Sequence, residues 1–396
     1  MIKKNVVLIP LMKIMGLIMP LAFYAVLHRH VSINEFGIFQ TLIGLLSFIS
    51  LLESGVTPSF RNGVLLDGLK SNDVLSSALI TSFFFSAIAV ATICIVWLFF
   101  GKVLYPSILV PISFSIVSIS LVGSCFQVYD DLNDNYLFGR FFDFISNIAG
   151  LLFACFLLYF SYGIYVVFFC VCLFKISWTI FSIFKYKNIV DVKLTRKNLM
   201  HAVFQGLGEN SKFVSIQLLN TVVSFGIIYI LCKYNTIAVY GVFAVFFRFL
   251  MVPVALYGSI APILWGYFSR YKGKVKNNMM FFIFSSSIVF LLAYCILPYF
   301  VKFYLGADVQ YPGDLFFLTA FCFTGLLKDV ISTYFNAFRS YLFQIILLIA
   351  NVFVLYYSDA MRYQIDELFL ALIFYNIFAV LTMYVFMKNT NKVPLN

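Results

Sequence analysis

The stretch SSALITSFFFSAIAVATICIVWLFF, residues 76–100, contains no charged residue and is long enough to cross a bilayer as one helix. Apolar runs of about 20 residues recur along the whole chain. The chain has 396 residues, of which 63% are hydrophobic and only 11% are charged. A soluble domain has about 25% charged residues, so the composition excludes a soluble fold. Short segments of alternating hydrophobicity are absent, so the spanning elements are predicted to be α-helices.

The apolar runs predict about twelve transmembrane helices in two groups of six. In the first group, the predicted helices span residues 5–27, 36–58, 76–100, 106–128, 138–160 and 163–184. In the second group, they span residues 213–233, 238–268, 280–303, 314–336, 340–358 and 366–387. The predicted domains are a six-helix lobe at 1–190, a cytoplasmic linker at 191–212 and a second six-helix lobe at 213–396.

Lysine and arginine are distributed unequally between the predicted loops. The outer segments hold only Arg29, Lys102, Lys233, Lys302 and Arg362, whereas the inner segments hold most of the other basic residues. The positive-inside rule therefore places both ends of the chain in the cytoplasm. This orientation explains the net charge of +11, and no water-facing region is large enough for a nucleic-acid-binding patch. The first apolar stretch is too long for the h-region of a signal peptide, so we expect it to be retained.

The polar and reactive residues outside the spans give no sign of catalysis. Every predicted loop is short, and the longest outer loops, at residues 28–35 and 304–313, are too small for the active site of a membrane glycosyltransferase or polymerase. Asp130, Asp131 and Asp134 form an acidic turn on the predicted cytoplasmic side, and we expect this turn to be solvated. All eight cysteines lie within predicted helices as packing residues, and no pattern predicts a metal or another cofactor.

The two halves show weak internal similarity, which is typical of transporters built from repeats. Residues 35–39, EFGIF, align with residues 239–243, VYGVF, and the same shift places Pro58 on Pro262. Because each half has an even number of spans, the halves are predicted to form a parallel repeat. The predicted architecture is two helical lobes around a central cavity.

Several short patterns near the start of the chain resemble one known family. They are Gly16 and Pro20 in the first helix, NEFGIF at residues 34–39, and ESGVTP at residues 53–58 followed by Arg61. These patterns are similar to the polysaccharide-unit flippases of bacteria, which are the O-antigen repeat-unit translocases of Wzx type. That family belongs to the multidrug/oligosaccharidyl-lipid/polysaccharide exporter superfamily, whose length, span count and repeat this chain also resembles.

The resemblance implies a substrate, a direction and a location. It implies alternating-access export of an oligosaccharide unit carried on undecaprenyl diphosphate, from the cytoplasmic to the periplasmic leaflet of the inner membrane. The implied partners are this lipid-linked glycan, the surrounding membrane lipids and other polysaccharide assembly proteins.

Basic residues within the predicted spans are the first candidates for a substrate site. A charge in mid-bilayer costs about 2.5 kcal/mol or more, so it tends to face a cavity or a partner. The candidate cavity cations for the phosphates are Lys13, Arg140, Lys175, Arg248 and Lys328. Snorkelling to the interface is the alternative for Lys13, and interface anchoring is the alternative for Lys175. A local ion pair with Asp143 is the alternative for Arg140.

The intramembrane acids are fewer than the bases, which leaves the predicted cavity cationic. Glu53, Asp143 and Asp329 are candidates for coupling transport to H⁺ or Na⁺. The membrane potential is the stronger hypothesis for the driving force, because moving negative charge outward gains about 2.3 kcal/mol per charge per 100 mV. Glycine and proline are common at helix kinks, so the candidate hinge positions are Gly16, Pro20 and Pro253.

Two other transporters of the same superfamily remain as alternatives. A multidrug or cation antiporter needs an acidic residue that faces the cavity, whereas the first helix contains Lys13 and no acid. A lipid II flippase shares the need for a cationic cavity, but such proteins are usually longer. The sequence therefore favours a flippase of lipid-linked oligosaccharides, a transporter and not an enzyme.

Overall fold

The computed structural model describes residues 12, 15–16, 19–20, 22–49, 56–65, 68–98, 107–133, 135–189, 215–216, 218–220, 222–224, 226–231, 233–234, 236–254, 257, 275–305, 313–337 and 341–390. This described part is helical apart from short turns and contains no strand, which confirms the predicted all-α class. The helices are α1 (Ile33–Ile49), α2 (Val56–Leu65), α3 (Ser71–Val96), α4 (Leu109–Ser120), α5 (Val122–Leu132), α6 (Tyr136–Tyr159), α7 (Ile164–Leu173), α8 (Ile176–Tyr186), α9 (Ile237–Leu250), α10 (Val275–Leu305), α11 (Leu315–Ala337), α12 (Tyr341–Ala360) and α13 (Ile365–Thr390).

Among the described residues, seven helical stretches are long and apolar enough to cross a membrane. They are Val74–Ile95, Leu109–Leu132, Phe138–Tyr159, Ile164–Tyr186, Leu315–Thr333, Tyr341–Ala360 and Ile365–Phe386. Shorter apolar helices cover Ile33–Leu46, Leu218–Leu231, Val239–Leu250 and Ser286–Lys302. These stretches match the second to twelfth predicted spans one for one. The first predicted span is described in part, and residues 12, 15–16, 19–20 and 22–27 are helical. The chain is therefore a multi-pass membrane protein.

Large apolar side chains cover the outward faces of the long helices. On α6, for example, Leu152, Phe156 and Tyr159 are all exposed. Such surfaces would be unstable in water, but they suit a bilayer because lipid tails are as apolar as the side chains.

Two of the predicted spans are interrupted in the same unit of the protein. The fourth span has a turn at Leu121, between α4 and α5, and the sixth has a turn at residues 174–175, between α7 and α8. At the first bend, the hydroxyls of Ser120 and Ser124 donate to the carbonyl oxygens of Val117 and Leu121 at 2.7 and 2.6 Å. Such hydrogen bonds to the preceding turn compete with the helix ladder and favour bending.

The eighth span, predicted at 238–268, is described at residues 238–254 and 257 and is interrupted within this part. α9 ends at Leu250, Met251 forms a turn, and residues 252–254 are helical again. Pro253 explains the interruption, because proline has no N–H and its ring clashes with the carbonyl of the residue four positions earlier. The proposed use of Pro253 as a hinge stays a prediction.

The contacts divide the chain into two compact units, Met1–Thr221 (unit 1) and Val222–Asn396 (unit 2). In unit 1, α4 packs on α3 and α7, and α5 packs on α2, α3 and α8. In unit 2, α11 packs along α13, and α12 packs on both of these helices. The predicted division into lobes 1–190 and 213–396 with a linker between them stays a prediction.

Candidate functional site

Two consecutive acids at the end of α5 form the centre of a buried polar group in unit 1. Asp130 is 3% exposed and Asp131 is 6% exposed. The prediction that this acidic turn is solvated was therefore wrong for both residues. Consecutive residues on a helix point about 100° apart, so the two carboxylates reach different neighbouring helices.

The carboxylate of Asp131 binds two arginines. Nη2 of Arg61, from α2, lies 2.9 Å from Asp131 Oδ2. Nη2 of Arg140, from α6, lies 3.0 Å from the same oxygen and 3.3 Å from Oδ1. Charge-assisted hydrogen bonds of this kind are roughly twice as strong as neutral ones. Asp131 thus joins the ends of α2, α5 and α6.

The carboxylate of Asp130 binds the end of α8. The hydroxyl of Tyr186 donates to Asp130 Oδ1, and Asn135 Nδ2 donates to the same oxygen at 3.3 Å. Nζ of Lys185 lies 3.8 Å from Oδ1 and 4.0 Å from the centre of the Phe138 ring. We define the inner cluster as the residues that make these ion pairs and the tyrosine bond: Arg61, Asp130, Asp131, Arg140, Lys185 and Tyr186.

Aromatic side chains pack against Tyr186 of the inner cluster. The rings of Phe126 and Tyr186 stack at 5.4 Å between centroids. Tyr129 packs against Tyr186 and donates from its hydroxyl to Asn72 Oδ1 at 2.8 Å, which adds α3 to the assembly. Helices α2, α3, α5, α6 and α8 of unit 1 are thus joined here by both polar and apolar contacts.

Trp178 of α8 packs between α5 and α6, next to the inner cluster. Its Nε1 donates to the carbonyl oxygen of Gly123 at 2.9 Å. A Cβ atom at Gly123 would lie 2.9 Å from Trp178 Cδ1, and one at Gly139 would lie 2.8 Å from Cζ2. Only glycine at these two positions lets the indole approach both backbones this closely. On the same helix, Thr179 Oγ1 donates to the carbonyl oxygen of Ser120 at 2.9 Å, at the end of α4.

Among the predicted bases of unit 1, Arg140 and Lys175 have different surroundings. The ion pair that Arg140 forms is with Asp131, nine residues earlier, and not the local pair with Asp143 that the spacing suggested. Lys175 is half-buried in the turn between α7 and α8, one turn before the buried Trp178. Lys175 is thus in the same unit as the inner cluster but is not one of its members.

In unit 2, Lys328 and Asp329 lie side by side in α11 and face different surroundings. Lys328 is half-buried, and its Nζ lies 5.8 Å from the centre of the Tyr375 ring of α13. Ser332, one turn further, lies 3.9 Å by its Oγ from Met383 Sδ. Lys328 and Ser332 therefore both approach α13, whereas Asp329 is exposed.

Other predicted site residues lie apart from these contacts. Arg248 is half-buried in the last turn of α9, where a cation is favoured by the helix dipole. Gly16 approaches α6, since a Cβ atom there would lie 3.6 Å from Phe144 Cδ2, and Pro20 is helical. Lys13 and Glu53 lie outside the described residues.

The sequence reasoning missed most of the inner cluster. Arg61, Asp130, Asp131, Lys185 and Tyr186 were not selected as site residues, although a signal was present. The predicted cytoplasmic ends of the second, fifth and sixth spans each carry a base, and the fourth span ends in two acids. No group of three or more His, Cys, Asp or Glu side chains that could hold a metal ion occurs in the part of the chain that the structure describes.

Comparison with solved structures identifies the fold as that of MATE transporters. An inward-facing multidrug resistance MATE family transporter of the MOP superfamily has a TM-score of 0.68 at 13% identity, over 98% of this chain and 99% of that chain. A MATE structure in the straight conformation has a TM-score of 0.68 at 15% identity, over 97% and 95% of the two chains. A mutant of the Vibrio cholerae MATE transporter VcmN has a TM-score of 0.68 at 13% identity, over 98% and 96%. No protein-family model and no curated protein matches the sequence.

Proposed function

We propose that this protein is a transporter that moves an undecaprenyl-diphosphate-linked oligosaccharide from the cytoplasmic to the periplasmic leaflet by alternating access. Its fold supports the transporter part of the proposal. The similar structures named above are MATE transporters, and the similarity extends over 98% of this chain and 99% of the multidrug resistance MATE family transporter. Similar length and fold over whole chains favour the same general activity.

The identity of the substrate rests on the sequence resemblance and on the excess of intramembrane bases. A lysine or arginine can bind a diphosphate only if its N–H donors are not already occupied by protein carboxylates. Arg140 is a weaker candidate than expected, because Asp131 binds it at 3.0 Å. For Lys328, no carboxylate lies within ion-pair distance among the described residues, and its Nζ lies 5.8 Å from the centre of the Tyr375 ring. This half-buried ammonium within the Leu315–Thr333 span is the observation that carries the proposal.

A multidrug or cation antiporter is the second candidate function. One observation favours it: Asp329 presents an exposed carboxyl in the same apolar span as Lys328. An acid in this position would suit a cationic substrate or a coupling ion. One of the similar structures is also described as a multidrug resistance transporter.

Complementation of a bacterial strain that lacks its polysaccharide-unit flippase tests the proposal. The unmutated chain should restore surface glycan in at least one of several strains that make different glycans. Lys328→Ala should reduce surface glycan about ten- to hundredfold, which corresponds to the loss of one hydrogen bond to a charged group. Lipid-linked units should accumulate inside the cells, at a normal protein level on a blot. Lys13→Ala, Lys175→Ala and Arg248→Ala should act in the same direction.

Two control variants distinguish the loss of the Lys328 charge from a general loss of folding or expression. Lys328→Arg keeps the charge and should retain more export than Lys328→Ala. Lys302→Ala removes an exposed base at the end of α10 and should leave export unchanged. Normal export by the Lys328→Ala variant would rule out this cation as a ligand. Drug resistance without rescue of any glycan would support the antiporter instead.

A further inference from the structure

We propose that a groove between α12 and α13 binds one acyl chain of a membrane phospholipid. The groove has a volume of about 540 Å³, within the range of about 300–1,000 Å³ that is usual for small-molecule sites. It lies wholly in unit 2, and all of its lining residues except Tyr363 belong to the Tyr341–Ala360 and Ile365–Phe386 spans. The proposed site is separate from the substrate site and does not depend on the proposed function.

The groove has a floor of buried and half-buried residues and two exposed aromatic rims. The floor is formed by Ala350, Val354, Ser358, Ala371 and Tyr375. The rims are formed by Phe353 and Tyr357 on α12 and by Phe374 and Phe378 on α13, all of which are more than half exposed. Within each helix, the floor residues are four positions apart and so are the rim residues, so each set lies along one face. The small floor residues leave a space that the rims enclose on both sides.

Contacts between the two helices hold the groove in shape. The hydroxyl of Tyr375, on the floor, donates to the carbonyl oxygen of Leu347 at 2.8 Å and so joins α13 to α12. At the end of α12, the backbone N–H of Tyr363 donates to the carbonyl oxygen of Ser358 at 3.0 Å. The ring of Tyr363 packs edge-on against Tyr357, with 6.1 Å between centroids. The groove is therefore built by the protein itself and does not need an occupant to form.

The size and position of the groove favour a hydrocarbon chain over a helix. Because the groove lies within two membrane spans and its rims are exposed, lipid chains contact it in the bilayer. From Ala350 to Ser358 the groove is about 12 Å long, and a helix 10–12 Å wide would occupy roughly 900 Å³ over that length. The four aromatic rim residues would keep such a helix away from the floor, whereas a single acyl chain can lie between them.

The polar end of the groove fits the head of a phospholipid. The hydroxyl-bearing residues Tyr357 and Tyr363 lie at the turn between α12 and α13, and tyrosine is enriched where a membrane meets water. Arg362, in the same turn, is exposed, and arginine binds phosphate through charge-assisted hydrogen bonds. The nearest acid in the sequence, Asp359, is already bound by Lys233 at 2.8 Å. The phosphate is thus placed at this turn, with the chain extending along the floor towards Ala350.

Photocrosslinking of the full-length protein in lipid nanodiscs tests this site. The nanodiscs would contain phosphatidylethanolamine and phosphatidylglycerol, with a trace of phosphatidylglycerol that carries a diazirine in one acyl chain. Labelled residues would be mapped by mass spectrometry after irradiation. Labelling of the groove residues of α12 should exceed that of the exposed residues Leu152 and Phe156 on the outward face of α6.

Two variants and a matched control identify the groove as the cause of this labelling. Phe374→Ala with Phe378→Ala removes one rim and should lower the labelling of α12 about two- to tenfold, the factor expected for lost aromatic packing. Ala371→Phe fills the floor and should lower it in the same way. The control, Phe153→Ala with Phe156→Ala, removes two exposed rings of α6 and should leave the labelling of α12 unchanged. Thermal unfolding of the same samples would show that each variant is folded.

Four results would overturn the phospholipid site. One is labelling that is spread evenly over the exposed faces of α6, α12 and α13, and another is unchanged labelling of α12 in the folded rim variant. Displacement of the labelled lipid by an equal amount of undecaprenyl phosphate would assign the groove to an isoprenoid chain instead. A dimer in native mass spectrometry that is lost in the rim variant would assign it to a second copy of this chain.

Discussion

Replacing Asp131 by alanine should lower the free energy of unfolding by about 3–5 kcal/mol, the range found when one partner of a buried ion pair is removed. The side chain of Asp131 is 7% exposed and binds two guanidinium groups. Without it, Arg61 and Arg140 would lose the carboxylate that they share. Equilibrium unfolding in mixed detergent micelles would measure the loss.

A charge-free version of the same site is the control for this prediction. Asp131→Leu combined with Arg61→Met and Arg140→Met removes all three charges and keeps similar volume. Buried ion pairs replaced in this way by apolar residues are often neutral in stability. The triple variant should therefore be clearly more stable than Asp131→Ala. Equal losses in the two variants would show that packing, and not the uncompensated charge, determines the effect.

Replacing Trp178 by alanine should cost about 3 kcal/mol, the lower end of the range for removing a buried aromatic side chain. The lower end is expected because in a membrane the loss comes mainly from packing and not from transfer to water. The indole is 3% exposed, fits against Gly123 and Gly139, and donates to the Gly123 carbonyl oxygen. Its removal leaves a cavity where α5, α6 and α8 meet. Unfolding in mixed micelles is again the measurement.

Two further substitutions test whether the loss of stability depends on the buried indole of Trp178. Trp178→Phe keeps most of the ring and loses the Nε1 hydrogen bond, so its loss should be intermediate. Tyr159→Ala removes an aromatic side chain that is 77% exposed at the end of α6 and should have little effect. If Tyr159→Ala destabilised the protein as much as Trp178→Ala, the assigned packing of α8 would be wrong.

The sequence was sufficient to predict the fold class and the positions of most spans. Apolar length and low charge are local properties, and lipid leaves the backbone no alternative to helices. The interruptions could not be placed from apolar length and charge. Hydropathy does not distinguish a continuous helix from one that is interrupted at Leu121 or at residues 174–175. Serines at 120 and 124 and proline at 253 are local signals for an interruption, but each residue type is also common in straight membrane helices.

The inner cluster could not be predicted because it depends on contacts between distant parts of the chain. Arg61 and Asp131 are 70 residues apart, and Tyr186 and Asp130 are 56 residues apart. From one sequence, Asp130 and Asp131 were indistinguishable from a solvated turn. The same contacts change the interpretation of Arg140, which shares its carboxylate partner with Arg61. The predicted roles of Lys13 and Glu53 stay predictions.

Flipping by purified protein is the most direct test of the central claim. The protein would be reconstituted into proteoliposomes with an undecaprenyl-diphosphate-linked oligosaccharide, and the fraction of glycan reached by an external glycosidase would be followed with time. We predict faster exposure of the glycan than in protein-free vesicles, and a rate reduced by Lys328→Ala. Exposure no faster than in protein-free vesicles, by folded protein and with several glycans, would contradict the claim. Extrusion of cationic drugs by the same vesicles would then identify the protein as an antiporter.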